Sequence, residues 1–121
     1  QLIDNEAATI KPKETPGSEF DWTHYFHLET IFSWMDKQIA ENDFVEALNL
    51  GSTYEGLPIR GLKISKQKGN TGIFVDAGIH AREWIAPAVA TYLINQLIHS
   101  NGSIIFTNLR KLKTLNFFLL I

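Results

Sequence analysis

Asp76-Ala77-Gly78-Ile79-His80-Ala81-Arg82-Glu83-Trp84 is the stretch from which the fold of this chain is read. Ile73-Phe74-Val75 leads into it, a short β-branched and aromatic run as expected of a buried strand. Out of it runs the clearest helix pattern in the chain. Ala86, Val89, Ala90, Leu93, Ile94, Leu97 and Ile98 recur at i, i+3, i+4 and i+7. Pro87 falls in the first turn, where its missing N–H does no harm, and Asn101-Gly102 ends the helix. The turn after such a strand is where an α/β sheet offers side chains to a ligand. His80 and Glu83 stand in that turn, with Arg82 between them. A neutral imidazole and a carboxylate so placed can both reach one metal ion. Zinc accepts N and O ligands of this kind, and a catalytic zinc site takes three protein ligands plus an open position. The spacing by itself equally suits a surface histidine and a helix-start glutamate favoured by the helix dipole.

Working outward, Phe44 to Thr53 alternates loosely and meets Gly56 and Pro58, which mark a turn. Ile59, Leu62 and Ile64 follow, so residues 45–65 predict a β-hairpin. Lys66 to Gly72 is a polar loop. Upstream, Asp21 or Thr23 is placed to cap a helix over 23–41, with Leu28, Ile31, Phe32, Met35 and Ile39 on one apolar face. His24 and His27 make a His-x-x-His pair, but nothing nearby offers a third ligand and the pair is rejected as a metal site. Pro12, Pro16, Gly17 and Ser18 give residues 11–19 a linker composition, and residues 1–10 read as the tail of a helix.

Three blocks in this order carry a family likeness. Gly78-Ile-His-Ala-Arg-Glu-Trp-Ile-Ala-Pro-Ala88 resembles the zinc-binding segment of the metallocarboxypeptidases of the carboxypeptidase A/B family. Gly51-Ser-Thr-Tyr-Glu-Gly-Leu-Pro-Ile-Arg-Gly-Leu-Lys-Ile-Ser65 resembles that family's Tyr-Glu-Gly-x-Pro-Ile hairpin. Phe20-Asp-Trp-Thr-His-Tyr25 resembles the start of its mature enzyme. The resemblance covers roughly residues 20–103. It implies a partial zinc-carboxypeptidase fold of α/β class, a mixed β-sheet with flanking helices, truncated after the first zinc-ligand segment and its helix. His80 and Glu83 then become ligands of Zn2+, and Arg82 a residue that binds the peptide substrate. Residues 1–10 become the end of a prodomain helix, 11–19 an activation linker with Lys13-Glu14 as its candidate cleavage site, and 20–103 the N-terminal part of the peptidase domain. Residues 104–121 carry no family motif and are expected to be a divergent tail, although the apolar run 117–121 also suits a strand.

No catalytic residue is identified in the chain, and no third zinc ligand matches; by resemblance both lie downstream of Ser103. His99 is the only other histidine near the motif in sequence, and a helix of about 14 residues places it roughly 20 Å off. The reading is therefore a secreted, monomeric zinc metallocarboxypeptidase that removes C-terminal residues from peptides and proteins, incomplete as written. Its alternative is a catalytically inactive truncated product that binds zinc or a partner weakly.

Bulk properties bound these readings. The 121 residues suggest one domain or part of one, 45% hydrophobic and 20% charged. A net charge of −2 argues against nucleic acid or an anionic membrane as partner. The absence of cysteine removes disulfides and thiol chemistry. No apolar run reaches the roughly 18–20 residues of a membrane helix. Asn101-Gly102-Ser103 is a glycosylation sequon if the chain is secreted.

Overall fold

The computed structural model describes residues 19–65 and 72–99, together with the backbone of 116–120. Residues 1–10, all of the linker but Glu19, Asn101 and the tail before Asn116 lie outside the described residues.

The first helix, α1, spans Leu28–Glu41 and not 23–41. The expected cap is spent elsewhere. The Asp21 carboxylate accepts from the Thr23 backbone N–H at 2.9 Å and from the Thr23 hydroxyl at 3.0 Å, a local turn that competes with helix. His27 stands at the N-cap in extended conformation with no side-chain cap. Its carbonyl accepts from Thr30 and Ile31 to open the helix. The inward face of α1 is also rotated from the expected stripe. Ile31, Trp34, Met35 and Gln38 are buried, whereas Leu28 is exposed. An aromatic cluster explains the rotation: Phe20 and Trp22 meet Trp34 at 5.1 and 6.1 Å between ring centroids. Phe32 and Ile39, as expected, pack partly buried against the core, and Phe32 also lies beneath the Arg60 guanidinium, which pairs with Asp36.

The hairpin forms as expected. Strand β1, Val45–Ser52, pairs antiparallel with β2, Pro58–Ile64. Two residues of β1 face one of β2 between Asn49 and Ser52, a bulge in which Gly51 takes φ 113°. Strand β3 covers Gly72–Asp76 and helix α2 covers Ile85–His99. Strand β4, Asn116–Leu120, then returns parallel to β3 and antiparallel to β2. The sheet order is β1-β2-β4-β3, so the apolar run left open in the tail is a strand inside the sheet. The hairpin and β3 share one sheet, yet they are not neighbours.

One core unites these elements. It gathers Ile31, Trp34 and Met35 from α1, Val45, Leu62 and Ile64 from the hairpin, and Ala90, Ile94 and Ile98 from α2. Strand β3 is half-buried rather than buried on both sides: Ile73 and Val75 pack against the core, while Phe74 and Asp76 are exposed. On α2, Val89 also departs from expectation and is exposed, whereas Thr91 is fully buried. The Thr91 hydroxyl donates toward the Pro87 and Ala88 carbonyls at 2.9 and 3.0 Å, and accepts from the Trp22 indole N–H at 3.1 Å. That last bond ties the segment before α1 to α2 across 69 residues.

Candidate metal centre

The chain leaves β3 at Asp76 and must turn into α2 within eight residues, 77–84. Gly78 makes the first bend with φ 91°, a conformation that L side chains rarely adopt. A Cβ there would lie 3.5 Å from Pro87 Cγ, an ordinary contact. Glycine is therefore needed for its backbone angle and not for space. The bend is followed by a four-residue turn, in which the Glu83 backbone N–H donates to the His80 carbonyl at 3.0 Å. The Glu83 carbonyl in turn accepts from Ala86 N–H at 2.9 Å and hands the chain to α2.

Trp84 pins this turn. Its indole N–H donates to the Ala81 carbonyl at 3.1 Å, and its ring meets the edge of Tyr25 at 5.8 Å. Tyr25 belongs to the segment anchored through Trp22 to Thr91, so the turn is held against α2 and against the chain before α1. Beside Trp84 lies a cavity of about 380 Å³ lined by Tyr25, Phe26, Leu28 and Pro87 among others. His80, Arg82 and Glu83 are all exposed.

The turn thus places His80 and Glu83 at its two ends, bridged by a backbone bond that uses neither side chain. An imidazole nitrogen and a carboxylate oxygen are suitable donors for zinc, and together they supply two of the three protein ligands of a catalytic site. Among the described residues no group of three or more His, Cys, Asp or Glu could hold a metal. His99 stands in the last turn of α2, its Nδ1 3.0 Å from the Asn95 carbonyl. It is about 20 Å of helix from the turn.

His24 is differently employed. Its Nδ1 lies 2.9 Å from the Thr23 hydroxyl and 3.4 Å from Asp21 Oδ1, and its ring stacks on Phe26 at 4.3 Å. Its Nε2 is buried without a hydrogen-bond partner. The Asp21 carboxyl is held below its ordinary value, first by the Thr23 backbone N–H, then by the Thr23 hydroxyl and His24, against an opposing contribution from desolvation.

Sequence reasoning missed two supports of the site, the indole of Trp84 and the Trp22–Thr91 bond. A signal for the second existed: Thr91 is the one polar residue in the otherwise apolar run Ile85 to Ile94. Such a buried hydroxyl needs partners.

Residues 31–121 match the peptidase M14 family, zinc carboxypeptidase. The match takes in the 104–121 stretch, in which the residues alone display no motif. Zinc carboxypeptidase A 1 of Anopheles gambiae is 41% identical over 104 residues, covering 85% of this chain and 24% of its own. Carboxypeptidase B2 of Bos taurus is 34% identical over 116 residues, covering 93% and 26% respectively. The crystal structure of thrombin activatable fibrinolysis inhibitor superposes with a TM-score of 0.74 at 30% identity, over 98% of this chain and 30% of that one. The chain thus spans about a quarter of the length of these curated relatives.

Proposed function

The chain belongs to the zinc carboxypeptidase family, and from that premise we propose that residues 80–83 are one wall of a zinc centre that removes residues from the C-termini of peptides and proteins. The observation that carries the reading is the turn itself. Within the family-matching segment, the bond from Glu83 N–H to the His80 carbonyl holds the two donors at the ends of one turn, with both side chains exposed. In this reading His80 and Glu83 hold Zn2+ and Arg82 binds the peptide. Zinc bound there supplies Lewis acidity toward the scissile carbonyl. The Arg82 guanidinium offers paired N–H donors to substrate oxygens. Trp84 and Gly78 position the turn, and the hydrogen bond to Ala81 keeps the backbone between the two ligands from unwinding.

The described residues bring no third donor to the turn. That observation favours a second reading for the 121 residues taken alone, a chain that binds zinc weakly and hydrolyses nothing. Two protein ligands hold zinc less well than three, because each further ligand on a rigid scaffold binds at high effective concentration. By the resemblance of residues 1–19 to the end of a prodomain helix and an activation linker, we assign the parent protein to a secreted, zymogen-type pathway, with cleavage after Lys13. Among the described residues no helix is long and apolar enough to cross a membrane.

The test is zinc binding and peptide cleavage by the purified chain at saturating zinc, beside a His80→Ala sample. The expected result is chelator-sensitive zinc binding that His80→Ala abolishes, with no release of C-terminal residues above the metal-free control. Equal zinc uptake by the two samples would remove His80 from the site. Cleavage that vanishes in His80→Ala would overturn the inactive reading.

A further inference from the structure

Between α1 and the end of α2 lies a groove of about 400 Å³, within the roughly 300–1,000 Å³ of small-molecule sites. Trp34, Lys37, Gln38 and Glu41 line it at i, i+3, i+4 and i+7 of α1, which is one continuous helix face. Glu19 lines it from the chain before α1, and His99 from the last turn of α2. Trp34 and Gln38 are buried, while the other four are exposed. Gln38 is only 4% exposed, and its amide oxygen has no hydrogen-bond partner among the described residues. A buried acceptor of this kind calls for a donor. The exposed side of the groove adds further acceptors. His99 Nδ1 lies 3.0 Å from the Asn95 carbonyl, which can only accept. Nδ1 therefore carries the proton, and the neutral ring keeps Nε2 as an acceptor. The Glu19 and Glu41 carboxylates accept only. Against them stands Lys37, its ammonium 3.6 Å from Glu19.

A lining rich in acceptors, with two carboxylates to one ammonium, selects a cation that donates hydrogen bonds. Glu19, Glu41 and His99 do not converge on a metal ion, since among the described residues no group of three or more such side chains could hold one. An organic cation needs no such convergence. Among organic cations, a guanidinium brings five N–H donors in one plane and stacks on aromatic rings. Trp34, with Phe20 packed on it at 5.1 Å, gives the groove an aromatic wall. We infer that this groove is a binding site for a guanidinium group, which donates to the Gln38 amide oxygen and the Glu41 carboxylate beside the Trp34 ring. The site stands at the opposite end of α2 from the metal turn, about 20 Å of helix away. It rests neither on the metal assignment nor on family membership.

The experiment titrates the 121-residue chain with N-acetylarginine amide and follows the Trp34 indole N–H by NMR. A saturable shift is expected. N-acetylcitrulline amide keeps the planar donors without the charge and should bind about tenfold more weakly, because charge-assisted hydrogen bonds are the stronger kind. Gln38→Met, close in volume, removes the buried acceptor and should weaken binding about tenfold. Glu41→Gln, at an exposed position, should weaken it about threefold. Melting temperatures confirm that both variants fold. Should Gln38→Met not fold, Glu41→Gln and the citrulline probe still decide the matter. His80→Ala should leave binding unchanged, so a failed metal assignment and a failed guanidinium site give different results. Absence of a saturable shift, equal binding of the citrulline probe, or binding indifferent to the Gln38 and Glu41 variants would overturn the inference. Tighter binding of N-acetyllysine amide would assign the groove to an ammonium instead and equally overturn it.

Discussion

Two four-residue stretches, 21–24 and 80–83, each place a carboxylate and an imidazole three positions apart, and the fold treats them oppositely. In Asp21-Trp22-Thr23-His24 the Asp21, Thr23 and His24 side chains engage one another. Thr23 donates to Asp21 from both backbone and hydroxyl, and His24 Nδ1 faces Thr23 and Asp21 while its ring lies on Phe26. In His80-Ala81-Arg82-Glu83 the closing bonds are made by the backbone and by the Trp84 indole. The imidazole and the carboxylate there remain exposed. Spacing is common to both. What separates a structural acid–histidine pair from a candidate metal pair is which hydrogen bonds close the turn.

The largest test of this contrast is metal affinity. His80→Ala and Glu83→Ala should each reduce zinc binding to background in a chelator-competition titration, while His24→Ala should leave it unchanged. Loss of zinc in His24→Ala, with retention in the other two, would invert the comparison. Stability should show the reverse pattern. Thr91→Val leaves the Trp22 indole without its acceptor and should cost about 1–3 kcal/mol in urea unfolding. Arg82→Ala, at an exposed turn position, should change stability by no more than about 0.5 kcal/mol. Next in size is Gly78→Ala. The Cβ has room, but the positive φ is unfavourable, so a loss of about 1–2 kcal/mol is expected. A loss of zinc affinity should accompany it as the turn is re-aimed. Unchanged melting temperature and zinc affinity would show that the bend tolerates a side chain.

The smallest effect is on pH dependence. Asp21 has a folded-state pKa lowered from the ordinary 3.8. Its contribution is therefore present above pH 3.8 and lost as pH falls through the lower, folded value. Melting temperatures of wild type and Asp21→Asn, measured downward from neutral pH, should differ by a constant amount until about pH 4 and converge below it. A gap that persists into strong acid would mean that the carboxylate charge does nothing for the 21–24 turn.

Much of this was legible from the residues. The hairpin, β3, α2 and the site turn all lie within a few positions of their expected places, because Gly56, Pro58, Gly78 and Pro87 punctuate strong local patterns. The start of α1 was not legible, since Asp21 caps in one conformation and forms a local turn in another. The choice is made by Trp22 and Phe20, which pull the segment onto Trp34. Strand β4 was undecided because Phe117-Phe118-Leu119-Leu120 has no period, and apolar runs without period do not distinguish strand from helix. Its place between β2 and β3 depends on pairing across long sequence distances. For the site, local spacing offered His24–His27 beside His80–Glu83; the wider string around His80 distinguished them, and the hydrogen bonds that engage His24 with Thr23 are visible only in the structure.

The order β1-β2-β4-β3 has a consequence for biosynthesis. A ribosome delivers β1, β2, β3 and α2 before β4, yet β4 is the strand that joins β2 to β3. The hairpin can close early, because its contacts are local and closing them costs little chain entropy. Among the described residues strand β3 pairs only with β4, so this pairing waits until residues 116–120 emerge from the exit tunnel. Throughout that interval the facing edges of β2 and β3 stay open on the nascent chain, where strand edges invite pairing with other chains. The speed of elongation from residue 77 to residue 120 therefore sets how long the half-built sheet is exposed to misassembly.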